Sequence, residues 1–236
     1  MRTWTTPAGK ESALCADILK QPHTLIAGTT GSGKSVLMNS IIYAALFDAP
    51  CQKQFIFIDT KRTELYEYAR LPHTLYYCDD PEEAARVLQH VVQIILDRSN
   101  RTRAAGLRKS TEPDLYVIID ELGDLIFSNR DAVDALARIA MIGRSANVHL
   151  IAGTQCPNRK TLSAEFAANC AARVGLRCRD QIESRQVIGS PAAASLPLYG
   201  SGYYVAPQFS QPVLVDIPMT SEEDLHERVR WWMAQA

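Results

Sequence analysis

The chain has 236 residues, 47% of them hydrophobic and 22% charged, with a formal net charge of −1. This composition excludes a disordered or fibrous protein and gives no bulk attraction to nucleic acid or to an acidic membrane, so any polyanion site must be a local basic patch. The six cysteines show no C-x-x-C pair or metal-ligand spacing, which suggests a reducing cytoplasm, and no apolar run approaches the roughly 18 residues of a membrane span.

Residues 1–21 read as a lead-in, with Trp4, Pro7 and Gly9 ahead of a short helical stretch from Ser12 to Lys20. Residues 22–236 read as one α/β domain with ample chain for a full core. Thr24-Leu25-Ile26-Ala27 is a short buried strand bounded by Pro22. It runs into Gly28-Thr29-Thr30-Gly31-Ser32-Gly33-Lys34-Ser35, which fits the phosphate-loop pattern G-x-x-x-x-G-K-[ST]. Residues 36–46 follow with apolar side chains at helical spacing. Strand, glycine turn and helix together let backbone N–H groups and a helix N-terminus surround a polyphosphate. A chance match in a glycine-containing turn is the alternative, and the correct flanks oppose it. In this reading ATP is the ligand, Lys34 reaches its β and γ phosphates, and the Ser35 hydroxyl faces Mg²⁺.

Further along, Phe55-Ile56-Phe57-Ile58-Asp59 is a second buried strand ending in an acid. Ligand-facing groups of open parallel sheets sit at strand C-termini, so Asp59 and Lys61 are candidates for the margin of a site. Leu75-Tyr76-Tyr77-Cys78 reads as a strand, and Asp80-Pro81-Glu82-Glu83 as a capped helix start. The helix leads into a basic run from Arg98 to Lys109 without an acid. That run is either a solvated helix end or a face toward DNA or a neighbouring subunit's nucleotide.

Leu115-Tyr116-Val117-Ile118-Ile119-Asp120-Glu121 is a buried strand with two carboxylates at its end. Downstream of a phosphate loop, Asp120 would hold the Mg²⁺ shell and Glu121 would polarise the attacking water. A helix from Asp131 to Ile142 precedes the strand of residues 148–155, within which His149 reads as a packing residue. Gln155 at its end can hydrogen-bond both the water and the γ phosphate. Strands at 173–177, 202–205 and 213–217 and a helix from Ser221 to Ala234 complete the chain; Trp231 and Trp232 read most simply as packing residues, with an interface as the alternative.

Taken in order, Pro22-His23 through Ser35, Ile58-Asp59-Thr60-Lys61, Glu64-Leu65, Pro72-His73, Asp120 through Leu125, Gly143-Arg144-Ser145-Ala146-Asn147, Thr154-Gln155, Ile182-Glu183-Ser184-Arg185 and Gly200-Ser201-Gly202 resemble the motor domain of the FtsK/SpoIIIE family of DNA-pumping ATPases. The resemblance implies a RecA-like P-loop NTPase fold, with a mostly parallel sheet flanked by helices on both faces. It also implies a hexameric ring threaded by double-stranded DNA. Arg144 matches the arginine inserted into a neighbour's ATP site, and Arg185 matches a basic position on the central DNA-facing loops. Where the family has Arg-Pro after its sensor glutamine, this chain has Cys156-Pro157. Arg159, Lys160 and Arg179 are the remaining DNA-contact candidates. The family's preceding α-domain, membrane anchor and winged-helix module are expected to be missing, as in a stand-alone motor core or an excised domain, and a larger assembly or docking partner would then supply targeting. A related ring ATPase that moves protein, or a slow nucleotide-dependent assembly module, are the alternatives to a DNA translocase.

Overall fold

The computed structural model describes residues 3–5, 11–13, 18, 21–47, 52–158, 162, 164–217 and 219–234. The elements run in the order β1 (Thr3–Thr5), β2 (Glu11–Ala13), β3 (His23–Ala27), α1 (Lys34–Phe47), β4 (Lys53–Ile58), β5 (Thr74–Cys78), α2 (Pro81–Ala104), β6 (Asp114–Ile119), α3 (Leu122–Ser128), α4 (Arg130–Ile142), β7 (Val148–Thr154), α5 (Ala164–Asn169), β8 (Ala172–Gly175), α6 (Gln181–Ile188), β9 (Ser201–Val205), β10 (Val213–Asp216) and α7 (Glu222–Met233). Strands β1 and β2 pair antiparallel, so Ser12 and Ala13 begin no helix. The rest of the expected 12–20 helix lies outside the described residues, apart from Ile18.

The other eight strands form one sheet in the order β10-β9-β8-β3-β7-β6-β4-β5. From β8 to β5 every pairing is parallel, and β9 and β10 add an antiparallel edge. The strand alternation divides the core between two faces. Leu115, Val117 and Ile119 of β6 pack with α2, α3 and α4, while Tyr116 and Ile118 pack with α1 and α7. Covering a parallel sheet on both faces accounts for its near-continuous apolar strands. The eight strands and the helices on both faces are those expected for a P-loop NTPase.

The start of α2 follows its sequence signal. The Asp80 carboxylate accepts from the Glu82 and Glu83 N–H groups, with Pro81 in the first turn. The basic run beyond it is not one solvated surface. Arg98 is buried and donates to the carbonyls of Pro113, Ala146 and Asn147, and Arg101 pairs with Glu112 at 3.0 Å. His149 is also structural: its ring nitrogens lie 3.0 Å from the Gln21 carbonyl and 3.2 Å from Asp114, and the ring stacks on Tyr116. Trp232 packs through an N–H bond to the Leu46 carbonyl, whereas Trp231 is half exposed.

Candidate nucleotide site

The parallel strands place their C-terminal ends along one edge of the sheet, and the predicted site residues meet there. Residues 28–33 link β3 to α1, with Gly31 at φ 76° and Gly33 at φ 93°, in the region that a side chain disfavours. The loop is moored at both sides. The Gly28 N–H donates to the Thr154 carbonyl at 3.2 Å, and the Thr29 N–H and hydroxyl donate to the Arg177 carbonyl at 2.8 and 3.1 Å. The Thr30 hydroxyl donates to Gln155 Oε1 at 3.0 Å, so the glutamine at the end of β7 contacts the loop directly.

Lys34 and Asp120 are both buried, and their side chains pair; Lys34 Nζ also donates to the Asp120 carbonyl at 2.8 Å. Sequence reading missed the residue that permits this contact. A Cβ on Gly153 would stand 2.4 Å from the Asp120 carbonyl oxygen and 3.2 Å from Lys34 Cδ, so only glycine lets β7 pass there.

Glu121 is 5% exposed and turned into the protein. Its carboxylate accepts from the Gly123 N–H at 3.1 Å, capping α3, from the Thr154 hydroxyl at 3.0 Å, and from the Gln155 N–H at 3.0 Å. Lys61 lies 3.7 Å from Glu121 and 3.8 Å from Asp124, which places it at the margin of the site as its position after β4 suggests.

The turn after β4 supplies a further acid. Burial raises the Glu64 carboxyl above its ordinary value, the Ser35 hydroxyl opposes that, and the charges of Asp120, raising it, and Lys34, lowering it, also act, which places it beside the phosphate loop. Its family motif was visible in the sequence. Its proximity to Ser35 was not, because the intervening turn has no periodicity.

A phosphate loop of this kind implies Mg²⁺. The hydroxyl of Ser35 with the carboxylates of Glu64 and Asp120 is a hard oxygen donor set suited to that cation. Among the described residues no three His, Cys, Asp or Glu side chains could hold a metal ion by themselves. Mg²⁺ is usually held by one or two carboxylates together with substrate phosphates.

The remaining candidates lie elsewhere. Arg144 is exposed in a 3₁₀ turn just before β7, at the opposite edge of the sheet from the phosphate loop. It lines an open cleft of about 690 Å³ with Arg108, Lys109, Ser145 and His149. Arg185 sits in helix α6 rather than on a loop, exposed and 3.4 Å from Gln181 Oε1. Arg179 precedes α6 and pairs with Glu183 at 2.9 Å. Arg159 and Lys160 lie outside the described residues.

A moored phosphate loop, a lysine at its end and two carboxylates after β6, one strand removed from β3, define a P-loop ATPase core. The fold agrees with solved structures: the type VII secretion ATPase EccC of Thermomonospora curvata matches 98% of this chain and 30% of its own, at TM-score 0.79 and 24% identity. The pCW3 conjugation coupling protein TcpA, solved with ATPγS, matches 97% of this chain and 69% of its own, at TM-score 0.81 and 20% identity. Within that class the sequence is specific. Residues 5–114 match the FtsK/SpoIIIE family. A DNA translocase FtsK from Caldanaerobacter subterraneus is 36% identical over 94% of this chain and 34% of its own length. The chain is a relative of the FtsK/SpoIIIE motors, as its motifs indicate, and it spans about a third of the length of such curated relatives.

Proposed function

We propose that this chain is an ATP-hydrolysing ring motor, hexameric in its working form, that moves double-stranded DNA and works in the cytoplasm. The gathering of Lys34, Ser35, Asp120, Glu121 and Gln155 at one sheet edge, in a chain related to FtsK translocases, carries this reading. When ATP binds, Lys34 would exchange the Asp120 carboxylate for the β and γ phosphates, and Asp120 and Ser35 would hold the cation. The Mg²⁺ ion, when bound, neutralises charge developing on the phosphates. Gln155 orients the attacking water and Glu121 draws its proton. Arg144 lies at the opposite edge from its own phosphate loop, so it is suited to a neighbour's γ phosphate, with Arg108 and Lys109 beside it.

Arg185 is the best-placed DNA contact because it is exposed and has no acidic partner among the described ion pairs. Arg179, Arg159 and Lys160 are proposed as secondary contacts. Duplex DNA of any sequence should stimulate ATPase activity, since phosphate contacts position without specifying. Binding should weaken steeply with salt, and Arg185→Ala should lower the log–log slope by about one contact while leaving DNA-free turnover intact. ATPase activity indifferent to duplex DNA, with no DNA binding at low salt by the assembled protein, would overturn the reading and favour a protein-moving or assembly ATPase.

A further inference from the structure

Asp120, Glu121 and Gln155 follow β6 and β7, which lie to one side of β3 in the sheet, whereas β8 and β9 lie to the other. On that second side the segment from Leu196 to Gly200, just ahead of β9, runs against the phosphate loop. Arg177, at the exit of β8, joins the two. Its carbonyl accepts from the Thr29 N–H and hydroxyl, and its guanidinium donates to the Leu196 carbonyl. Leu196 is buried in one cluster with Ala27, the last residue of β3, and the Gly200 carbonyl accepts from the Ile217 N–H at 2.9 Å. Between these anchors Pro197 fixes a backbone angle, and Gly200 turns the chain at φ 82°. Tyr199 is thereby held over the loop, its hydroxyl 4.0 Å from the position that a Cβ on Gly31 would take. The side chain is nevertheless 68% exposed, with no ring, charge or hydrogen-bond partner among the described residues.

We propose that Tyr199 is the platform on which the base of the bound nucleotide stacks. A nucleoside triphosphate is an elongated ligand with its charge at one end and its aromatic ring at the other. The loop N–H groups and the start of α1 take the phosphates. The γ phosphate belongs beside Glu121 and Gln155, the groups assigned to the attacking water. The base is then the end directed away from β6 and β7, toward the side of β3 where Tyr199 stands. Single exposed aromatic residues are ordinary on protein surfaces. This one differs in being anchored on both sides along the chain, touching the phosphate loop, and keeping its ring unpacked. Stacking reads the π-face of a base and not its hydrogen-bonding edge, so adenine and guanine should be accepted alike. The inference rests on the reading of the site as an ATP site and is independent of whether the motor moves DNA.

The test uses the full chain, with Mg·ATPγS and Mg·tripolyphosphate as probes with and without a base, followed by calorimetry in the absence of DNA. Tyr199→Ala should weaken ATPγS binding about 5–150-fold, the range of base–aromatic stacking, and leave tripolyphosphate affinity unchanged. Tyr199→Phe and Tyr199→Trp keep a ring and should bind ATPγS as the parent does. GTPγS should follow ATPγS through the series. Irradiation of the parent with 8-azido-ATP should label the peptide that holds Tyr199, as located by mass spectrometry. A merely structural role would weaken both probes together. Unchanged ATPγS affinity in Tyr199→Ala, equal losses of the two probes, or label confined to other peptides would each overturn the proposal. A loss in Tyr199→Phe as large as in Tyr199→Ala would also overturn it, because a hydroxyl contact to phosphate would then be the whole effect. Failure of the parent to bind either probe would overturn the ATP reading itself, whereas a parent that binds both equally would overturn the role of Tyr199 alone.

Discussion

At the scale of single residues, Glu121 has two duties that a substitution must separate. Its carboxylate caps α3 through the Gly123 N–H and is tied to Thr154 and Gln155. Truncation to alanine would remove that cap, typically about 1 kcal/mol, along with any catalytic role. Glu121→Gln preserves one acceptor oxygen, enough for the Gly123 and Thr154 bonds, and removes the basicity. It should keep Mg·ATP affinity and thermal stability while turnover falls about 10²–10⁴-fold, the range for a positioned general base. Equilibrium binding of ATPγS, a melting curve and single-turnover hydrolysis distinguish the two duties. Near-normal turnover would remove Glu121 from the mechanism.

At the scale of elements, the central strands β3, β4, β6 and β7 were readable because each carries an apolar run buried on both faces, whereas β1 and β2 have no such run. The helices α3, α5 and α6 were not, because elements of 7, 6 and 8 residues barely complete two turns and show no clear period. Lys34, Asp120, Glu121 and Gln155 were legible through motif spacing, and the structure brings them together. Gly153 owes its role to what lies across the sheet edge, which spacing along the chain does not report. The Gly143–Asn147 motif also reads differently in three dimensions. Asn147 stands at φ 54° as the left-handed cap of its 3₁₀ turn, and its amide donates to the Ser110 and Glu112 carbonyls at 3.0 and 2.9 Å. It fixes the entry to β7, leaving Arg144 and Ser145 as the exposed members.

The start of β3 carries an element-level consequence. His23 is 1% exposed, its Nδ1 accepts from the Leu150 N–H, and burial with the nearby His149 lowers its pKa to about 4. The folded state resists protonation while the unfolded chain takes a proton near pH 6.5, so stability is fully present above that value. It declines as pH falls from 6.5 toward 4, amounting to about 2 kcal/mol by pH 5. Urea unfolding of the parent and of His23→Asn at pH 7.5 and pH 5 should show a smaller acid loss in the variant. Parallel losses would mean that another group sets the acid sensitivity.

At the scale of the whole molecule, the two edges of the sheet carry different equipment. The seven-residue strand β7 rises about 3.3 Å per residue, so Arg144 before it and Gln155 after it stand roughly 20 Å apart. If Arg144 completes a neighbour's site, Arg144→Ala should bind ATP normally and hydrolyse it poorly, with a loss of about 10³–10⁵ as for arginine fingers generally. Mixed with Lys34→Ala subunits it should regain activity, since the second variant contributes an intact Arg144 to the first variant's intact pocket. Turnover that stays lost in demonstrably mixed assemblies would contradict the role in trans.

The exit of β7 also has a mechanical meaning. The Gln155 N–H holds Glu121, the Gln155 side chain holds Thr30 of the phosphate loop, and the Cys156 N–H bonds the Thr154 hydroxyl that Glu121 also uses. The next residues lead toward Arg159 and Lys160, proposed above as secondary DNA contacts, which lie outside the described residues. If those residues grip a load, tension along the chain reaches the Gln155 N–H and with it the Glu121 carboxylate. Such a motor would be geared directly, so a stalled load would pull Glu121 out of register and slow combustion at the same instant that it slows travel.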